Sequence, residues 1–550
     1  MLSSFGGVEK KLKNRQYQQA ISDCDIWINK LSAENRDEVI YLCKFKNKRA
    51  FAYYFLDNNQ LCIEEGLEVL NILKDTIYLC DPDGQLVLSE THHLLGQAYE
   101  IDKQPMKAMG EYKLSISLKP TKENENSMKG LFLNLGIPIL PKNDPQFSVF
   151  LQISNSIDDE TQLIKCIQSL NENIPSLITP PLAEKYNSKG CGKLITSILK
   201  LHHENIQIST LAMECMRNLH LHGVTDIWAN ITSLLNVFRE FLGNQDLLIK
   251  FLDLIQYANE NSYEKMVEIG FLPIIIESYE LLKNTEYIEL VFRILYLSCS
   301  TPASIQSITN TDVVESIFVS KSVSSMFLLS RISLIPMHCK KVEEIGAIDW
   351  VYDMMANNYD KPMIFTSGSF IILRSLVKLS PDGSTTQLIG KDNAPNEKEI
   401  TLVSLAFERI APILAANPKN VEIVTNSFMI FSVAVKILPN KAVEHRLLRL
   451  SSIVLMLHMK DQSLINNVIS FLYEAADNGL GNDIKTIPQI MQNVLIALNN
   501  YKQNSSIIER VVALSIITEH PNRREIVQSA SSIISGSKIL AKYTPMLKTI

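Results

Sequence analysis

A pattern of small and aromatic residues near residue 100 constrains the fold more than any other part of this 550-residue chain. Gly96 and Ala108 stand where the two helices of a hairpin would approach closely, and Tyr99 and Tyr112 stand beside them. Pro120 is expected to end the second helix, because a proline ring cannot continue one. A single hairpin leaves an apolar face uncovered, so we expect further hairpins stacked against it.

This spacing resembles the tetratricopeptide repeat (TPR), a helical hairpin of about 34 residues. Two poorer copies precede it, since Ala20, Cys62 and Ala108 occupy equivalent positions 42 and 46 residues apart. Longer helices around the turn signal at 81–84 would account for the wider spacing. We therefore predict three TPR pairs over 1–120, with an unrelated helical bundle as the alternative.

Composition favours an all-α protein of the cytoplasm. Apolar residues recur at intervals of three and four, as in 288–297 and 465–473, and no strand-like alternation persists. The net charge of -6 argues against a general nucleic-acid binder. Because no uncharged apolar window of about 18 residues and no signal-peptide core occurs, we expect neither a membrane span nor export. The scattered cysteines, which form no CxxC pair, are expected to be reduced.

A second repeat occupies the rest of the chain. The segment 211–219 is an apolar run that ends in Asn-Leu, and 261–282 and 340–355 each hold a glycine between two helical stretches. Gly270 and Gly346 lie 76 residues apart, twice 38, and a sharp corner between helices favours a residue without a Cβ. These segments resemble the armadillo repeat, a unit of about 40 residues.

The ends of the predicted third helices step along the chain at intervals near 40. They are Leu219, Tyr257, Leu297, Leu334, Leu379 and Leu457, the last interval being two units. A polar run followed by three prolines predicts a linker over 121–160. We predict an α-solenoid with a TPR domain over 1–120 and an armadillo-like domain over 161–550. The polar residues 381–399 are expected to form a mobile loop.

No motif predicts catalysis or a cofactor. The segment 188–197 approaches a phosphate-binding loop, but its first glycine is missing, and a turn that opens a helix is the better interpretation. The histidines at 202, 203, 220 and 222 lack the spacing of metal ligands on one helix face. No nucleophile elbow is present. We expect a protein that is not an enzyme and that holds no cofactor or metal.

In a TPR array the first helix of each hairpin lines the binding groove. The candidate binding residues there are Asn47, Phe51, Tyr54, His93 and Gln97. TPR modules that hold the acidic tails of heat-shock chaperones share a carboxylate clamp of Lys, Asn and Arg side chains. The aligned positions here are Phe5, Glu9, Lys48, Glu90 and Leu94. Because carboxylates outnumber cations two to one at these positions, they would repel such a tail. We therefore expect a different peptide ligand.

The armadillo surface differs from that of nuclear-import adaptors, which share an Asn and Trp ladder. At the Asn position stand Asn218, Gln256, Tyr296, Ser333 and Lys378, and four residues earlier stand Glu214, Leu252, Phe292, Leu329 and Arg374. A basic nuclear signal is therefore not the expected ligand. The candidates for binding another protein are Asn218, Gln256, Phe292, Tyr296, Arg374 and Lys378. Solvated polar side chains without a ligand are the alternative.

TPR hairpins followed by armadillo repeats resemble two groups, the UCS-type myosin chaperones and the TPR–armadillo factor that assists assembly of axonemal dynein arms. The chain is short for a full myosin chaperone and lacks the heat-shock clamp, and both points favour the dynein-assembly type or a lineage-specific scaffold. The resemblance implies a co-chaperone or assembly factor whose partners are proteins or peptides, among them motor-protein clients and chaperones. An adaptor for membrane trafficking is the alternative.

Overall fold

The computed structural model describes residues 2–31, 35–74, 78, 80–335, 342, 346–379, 386–388, 395, 397–530 and 537–547. Its contacts divide the chain into two compact units, Met1–Ser262 (unit 1) and Tyr263–Ile550 (unit 2). In each unit helix follows helix with short connections, which confirms the predicted all-α fold. Within the described ranges, none of the helices has the length and apolar character needed to cross a bilayer.

Three helical hairpins begin unit 1. Their helices are α1 (Leu2–Lys13), α2 (Tyr17–Ile28), α3 (Arg36–Phe55), α4 (Asn59–Ile72), α5 (Pro82–Ile101) and α6 (Pro105–Leu118). The two helices of each hairpin pack on one another, and α3 also packs on α2 and on α5. The turn predicted at 81–84 opens α5, where the Asp81 carboxylate accepts hydrogen bonds from the N–H groups of Asp83 and Gly84 at 2.7 and 3.0 Å.

The third hairpin packs as closely as its small residues predict. A Cβ added to Gly96 would lie 2.6 Å from the ring of Tyr112, well inside van der Waals contact. Ala108 is fully buried and Tyr112 is 1% exposed. The Tyr112 hydroxyl donates a hydrogen bond of 3.1 Å to the carboxylate of Glu100, so the same ring also links α6 to the end of α5.

The segment expected to be a linker, 121–160, is folded. Its elements are α7 (Lys122–Asn134), a 3-10 turn (Pro145–Phe147) and α8 (Ser148–Asn155). Thr121 and Asn124 exchange hydrogen bonds in a capping box that opens α7, and the Asn124 amide donates to Ser115 of α6. Phe147 is fully buried. The polar run that suggested a hinge therefore caps a helix and fastens it to the third hairpin.

The rest of unit 1 contains a row of helices with others beside it. The elements are α9 (Glu160–Leu177), α10 (Pro180–Lys189), α11 (Cys191–Leu201), α12 (Ile206–Leu221), a 3-10 turn (Asp226–Asn230), α13 (Ile231–Phe241) and α14 (Gln245–Ile255). Helix α9 packs on α12, and α12 packs on α14, which gives the unit 1 row. Helix α15 (Glu260–Glu268) crosses the limit between the units.

Unit 2 contains a longer row. Its elements are α16 (Phe271–Leu282), α17 (Ile288–Ser298), α18 (Pro302–Thr309), α19 (Val313–Ser320), α20 (Val323–Ile332), α21 (Ala347–Asn357), α22 (Pro362–Leu376), β1 (Val377–Leu379), β2 (Thr386–Leu388), α23 (Glu397–Ala416), α24 (Val421–Ala434), α25 (Pro439–Glu444), α26 (Leu447–Leu457), α27 (Gln462–Ala475), a π-helical turn (Ala476–Leu480), α28 (Gly481–Lys485), α29 (Pro488–Asn500), α30 (Ser505–Ile517), α31 (Arg523–Ser529), α32 (Lys538–Ala541) and α33 (Thr544–Leu547). Helices α17, α20, α22, α24, α27 and α30 pack side by side in that order and form the unit 2 row.

The predicted corner glycines have the backbone that the corner requires. Gly270 precedes α16 with a φ of 90°, and Gly346 precedes α21 with a φ of 71°, both in the left-handed region that favours glycine. Asp312 replaces glycine at the equivalent point before α19, with an ordinary φ of -83°. Its carboxylate accepts a hydrogen bond of 2.9 Å from the Tyr279 hydroxyl, which fixes this corner by a side chain instead.

The predicted register is wrong after α22. Leu379 was expected to end a third helix, but it lies in β1, which pairs antiparallel with β2. The row resumes with α24 and α27. Leu457 ends α26, which lies outside the row and packs beside α27 and α29. The insertion between α22 and α23 breaks the 40-residue interval. Of the expected loop 381–399, residues 386–388 form β2 and α23 begins at Glu397, while most of the others lie outside the described residues.

Candidate protein-binding surfaces

A pocket of about 390 Å³ lies in unit 1 among α1, α2 and α3. We call it the aromatic pocket, and its lining residues are Glu9, Leu12, Lys13, Arg15, Tyr17, Lys48, Phe51 and Phe55. The rings of Tyr17 and Phe55 stack with their centroids 5.2 Å apart, and the Phe51 ring lies 4.7 Å from that of Phe55. Phe55 is 46% exposed, so an apolar side chain of a ligand could bury it further.

The turn between α1 and α2 gives this pocket its positive rim. Arg15 adopts a left-handed φ of 60°, and the N–H groups of Arg15 and Gln16 donate to the carbonyls of Leu12 and Lys11. Lys13 and Arg15 are exposed and form no ion pair with any residue that the structure describes. The pocket therefore offers aromatic surface beside two available cations, a combination suited to an apolar side chain next to a carboxylate.

Lys48 lies between two carboxylates on the first helices of the hairpins. Its Nζ is 3.7 Å from Glu9 of α1 and 3.6 Å from Glu90 of α5. It also lies 5.7 Å above the ring of Phe5. The positions aligned with the heat-shock clamp thus converge in space, but two acidic groups neutralise the one cation. At these three positions, a doubly charged acidic tail would meet two carboxylates and one ammonium group.

Two of the five N-terminal candidates hold helices together. Asn47 is 4% exposed, and its amide donates to the carbonyl of Val87 on α5 at 3.4 Å. His93 Nε2 lies 3.0 Å from the Ser127 hydroxyl of α7. Burial lowers the pKa of His93, so the imidazole is neutral at pH 7. Asn47 is thus a buried contact between repeats and cannot line an open groove.

The other three N-terminal candidates differ in accessibility. Phe51 lines the aromatic pocket, as described above. Tyr54 and Gln97 are half-buried. Burial, and then the negative charge of Glu100, raise the pKa of Tyr54, so its hydroxyl stays protonated and can donate a hydrogen bond.

In unit 1, the armadillo candidates Asn218 and Gln256 are half-buried. Both form hydrogen bonds to other residues of the row. The Asn218 side-chain amide lies 3.5 Å from the side-chain oxygen of Asn171 on α9, and the Gln256 amide donates to Asp253 at 2.6 Å. Two ion pairs join α12 to α14: Glu214–Lys250 at 2.8 Å and Arg217–Asp253 at 3.3 Å. A ligand on this row would have to compete with these contacts.

The expectation that Phe292 lines a groove is wrong. Its side chain is 0% exposed and packs in the core of unit 2, with the ring of Tyr279 at 6.5 Å. Tyr296 is half-buried on the unit 2 row. Its ring lies 5.7 Å from that of Phe327, and the Arg331 guanidinium lies 5.1 Å from the Tyr296 ring centroid, a cation–π contact.

Arg374 lies on α22, the next helix of the unit 2 row after α20. It follows Phe370 by four residues on α22, as Arg331 follows Phe327 on the neighbouring α20. We call Tyr296, Phe327, Arg331, Phe370 and Arg374 the aromatic–arginine ladder. Phe370 is 42% exposed, and neither arginine is ion-paired within the described part of the chain. The ladder residues therefore place aromatic rings and arginine side chains on neighbouring helices of one row.

Contrary to the prediction, Lys378 does not belong to a third helix. It lies in β1, where its backbone is opposite Gln387 of β2, and not at the end of a third helix.

The residues that the sequence interpretation missed are Tyr17, Phe55, Phe327, Arg331 and Phe370. A signal for the last three was present, because the pattern Phe-x-x-x-Arg occurs at both 327–331 and 370–374. Residues four apart share a helix face.

The segment that approaches a phosphate loop is a helix start, as interpreted. Gly190, with a φ of 81°, precedes α11, and the N–H groups of Gly192 and Lys193 donate to the two carboxylate oxygens of Asp226 at 3.0 and 3.1 Å. A Cβ on Gly192 would lie 2.4 Å from Asp226. The chain's own carboxylate therefore occupies the place that an anion would take.

Buried thiols are held in the protonated form. Desolvation raises the pKa to about 12 for Cys24, Cys43, Cys62 and Cys299. A thiol with such a pKa carries almost no thiolate at pH 7 and is a poor nucleophile. These cysteines therefore act as small apolar residues of the core.

Comparison with known proteins gives a likeness of fold. No family model and no curated protein sequence matches the chain. A chain from the crystal complex of SYS-1 and POP-1 is similar at 14% identity and a TM-score of 0.51, covering 97% of this chain and 99% of that one. A chain from a structure concerning the interaction between cadherin and beta-catenin is similar at 9% identity and a TM-score of 0.50, covering 90% and 98%. She4p aligns at 13% identity and a TM-score of 0.29, covering 98% and 92%.

The first two likenesses agree with the rows of stacked helices in both units. At these identities the likeness concerns the fold alone. The chain is an all-α solenoid protein built of armadillo-like helical repeats.

Proposed function

We propose that this chain is a non-catalytic scaffold of the cytoplasm that holds other proteins, as a co-chaperone or assembly factor for clients of the cytoskeletal-motor type. The aromatic pocket is the observation that carries the proposal. Its rings are partly exposed, and its rim carries Lys13 and Arg15. Aromatic and arginine side chains with available contact area are typical of protein-binding hot spots.

We infer further that the three hairpins of unit 1 are TPR repeats. The close contact of Gly96 with Tyr112 supports this inference, because it follows the small-residue spacing of that repeat. The approach of Glu9, Lys48 and Glu90 supports it too, since these residues lie on the first helix of each hairpin. The choice of motor-type clients rests on the order of TPR hairpins before armadillo repeats.

The ladder of unit 2 supports a second binding surface. Tyr296 and Phe370 offer partly exposed rings, and Arg331 and Arg374 can each donate paired hydrogen bonds to a carboxylate. A scaffold with two binding surfaces raises the effective concentration of its partners without making or breaking a covalent bond. Acidic segments with aromatic or aliphatic side chains are the ligands that both surfaces suit.

Quantitative affinity purification from cytosolic extract tests the proposal. We expect motor heavy chains and chaperones to be enriched with the wild-type chain and reduced several-fold with Phe55→Ala/Arg15→Gln. A matched control is Leu67→Ala/Lys122→Gln, which changes exposed residues on α4 and α7 outside the pocket. Thermal unfolding checks that both variants are folded. Equal recovery with all three chains, or recovery of membrane-coat proteins alone, would overturn the proposal.

A further inference from the structure

A second cavity in unit 1, of about 570 Å³, lies outside the surfaces described above. It is formed by α6, α7, α8 and residues 138–142. Its apolar walls are Ile116, Met128, Phe132, Pro138, Ile139 and Leu151. We call it the α7 groove. Its volume falls within the ~300–1,000 Å³ of ordinary ligand-binding pockets.

The backbone after α7 keeps this groove apolar and open. Gly136, with a φ of 75°, ends the helix and turns the chain. Ile137 and Leu140 are then buried at 1% and 5% exposure, while Ile139 between them is 49% exposed. The walls are otherwise half-buried. Covering such surface is favourable by about 25 cal/mol per Å² of apolar area removed from water.

The charges at the rim are asymmetric. Lys129 and Lys142 line the groove, are exposed, and have no ion-pair partner among the residues that the structure describes. The ammonium group of Lys113 is already bound by Asp158 and by the carbonyl of Asn155. Glu125 is the acidic residue at the rim. Two available cations therefore face one carboxylate, which favours an occupant with acidic flanks.

We propose that the α7 groove binds a segment of another protein that carries bulky apolar side chains flanked by carboxylates. The apolar side chains fill the space beside Phe132 and Ile139, and the carboxylates pair with Lys129 and Lys142. An amphipathic helix with anchors three and four residues apart meets both requirements. This site is separate from the aromatic pocket and the ladder, so its failure would leave the proposed function standing.

Selection from a displayed library of random 16-residue peptides on the full chain tests this inference. A filled-groove variant, Ser117→Trp, serves for counter-selection, because Ser117 is an exposed residue of the groove lining. We expect the enriched peptides to share two or three apolar anchors with Asp or Glu on either side. We also expect them to lose binding to the filled variant. Enrichment of basic peptides, or no enrichment, would overturn the proposal.

Charge reversal supplies the second readout. Fluorescence anisotropy with an enriched peptide should show binding about tenfold weaker to Lys129→Glu/Lys142→Glu than to the wild type, since two favourable rim pairs become repulsive. Lys165→Glu/Lys189→Glu makes the same charge change at exposed sites of α9 and α10 and should bind like the wild type. Equal weakening in both variants would contradict the site. A dimer in sedimentation that Ser117→Trp abolishes would also contradict it, because a second copy would then be the occupant.

Discussion

The ring of Tyr112 fills the space that any side chain at position 96 would need, since a Cβ on Gly96 would lie 2.6 Å from two of its carbons. We predict that Gly96→Ala lowers the free energy of unfolding by about 1–3 kcal/mol, the usual cost of overpacking. Urea denaturation measures the change.

Gly130, in the middle of α7, provides the matched control. A Cβ there would meet nothing within 4 Å. Gly130→Ala should raise the free energy of unfolding by about 0.5–1 kcal/mol, because alanine favours a helix interior more than glycine does. A similar loss in both variants would mean that close packing at position 96 is not the cause.

His93 should make stability depend on pH. Burial lowers the pKa of His93 below the ordinary 6.5. As the pH falls, the unfolded chain therefore binds a proton at this residue before the native chain does. Stability contributed by this residue is therefore lost as the pH falls below about 6.5. In His93→Gln the amide can keep the hydrogen bond to Ser127 without titrating.

The measurement compares unfolding free energies near pH 7 and pH 5.5. The wild type should lose stability relative to His93→Gln at the lower pH. If the pH profiles of wild type and His93→Gln run parallel, His93 is not held neutral in the fold.

Truncation of Phe292 should cost much more stability than truncation of Phe370. Phe292 is 0% exposed, so Phe292→Ala should cost about 3–5 kcal/mol of stability. Phe370 is 42% exposed, so Phe370→Ala should cost about 1 kcal/mol or less. Thermal and urea unfolding measure both. Comparable losses would show that the ladder residue is part of the core.

The acidic groups around Lys48 should exclude the tail of heat-shock chaperones. We predict that Glu9→Lys/Glu90→Lys strengthens binding of a synthetic acidic tail peptide about tenfold or more, because two repulsive charges become attractive. Isothermal titration gives the dissociation constants. Glu172→Lys/Glu184→Lys, at exposed positions of α9 and α10, should not change them. Tight binding by the wild type would refute this electrostatic argument.

Much of the helical architecture could be predicted, because its signals are local. Gly96 marks a close approach, and Gly270 and Gly346 mark left-handed corners, each through the absence of a Cβ. The register after α22 could not be predicted from period alone. The insertion that contains β1 and β2 interrupts the regular spacing of the helices in the unit 2 row. The interval of 78 residues from Leu379 to Leu457 therefore ends on α26, which lies outside the row.

The binding surfaces were predicted only in part. Phe51 was found from its place on a first helix, but Tyr17 meets Phe55 only because α2 packs on α3. Phe292 was assigned to a surface by aligning the repeats. A one-residue error in such an alignment rotates the assigned side chain by about 100° around the helix, which is enough to exchange a surface position for a core position. The two Phe-x-x-x-Arg patterns were the sequence signal that would have placed the ladder correctly.

Site-specific photo-crosslinking in cells tests the central claim most directly. A photoreactive phenylalanine analogue at position 55 lies in the aromatic pocket, and the same analogue at Leu67 lies on the exposed surface of α4. The proposed scaffold should form crosslinks to other polypeptides from position 55, and few or none from position 67. Equal crosslinking at both positions, or none at position 55, would contradict the claim that this pocket holds partner proteins.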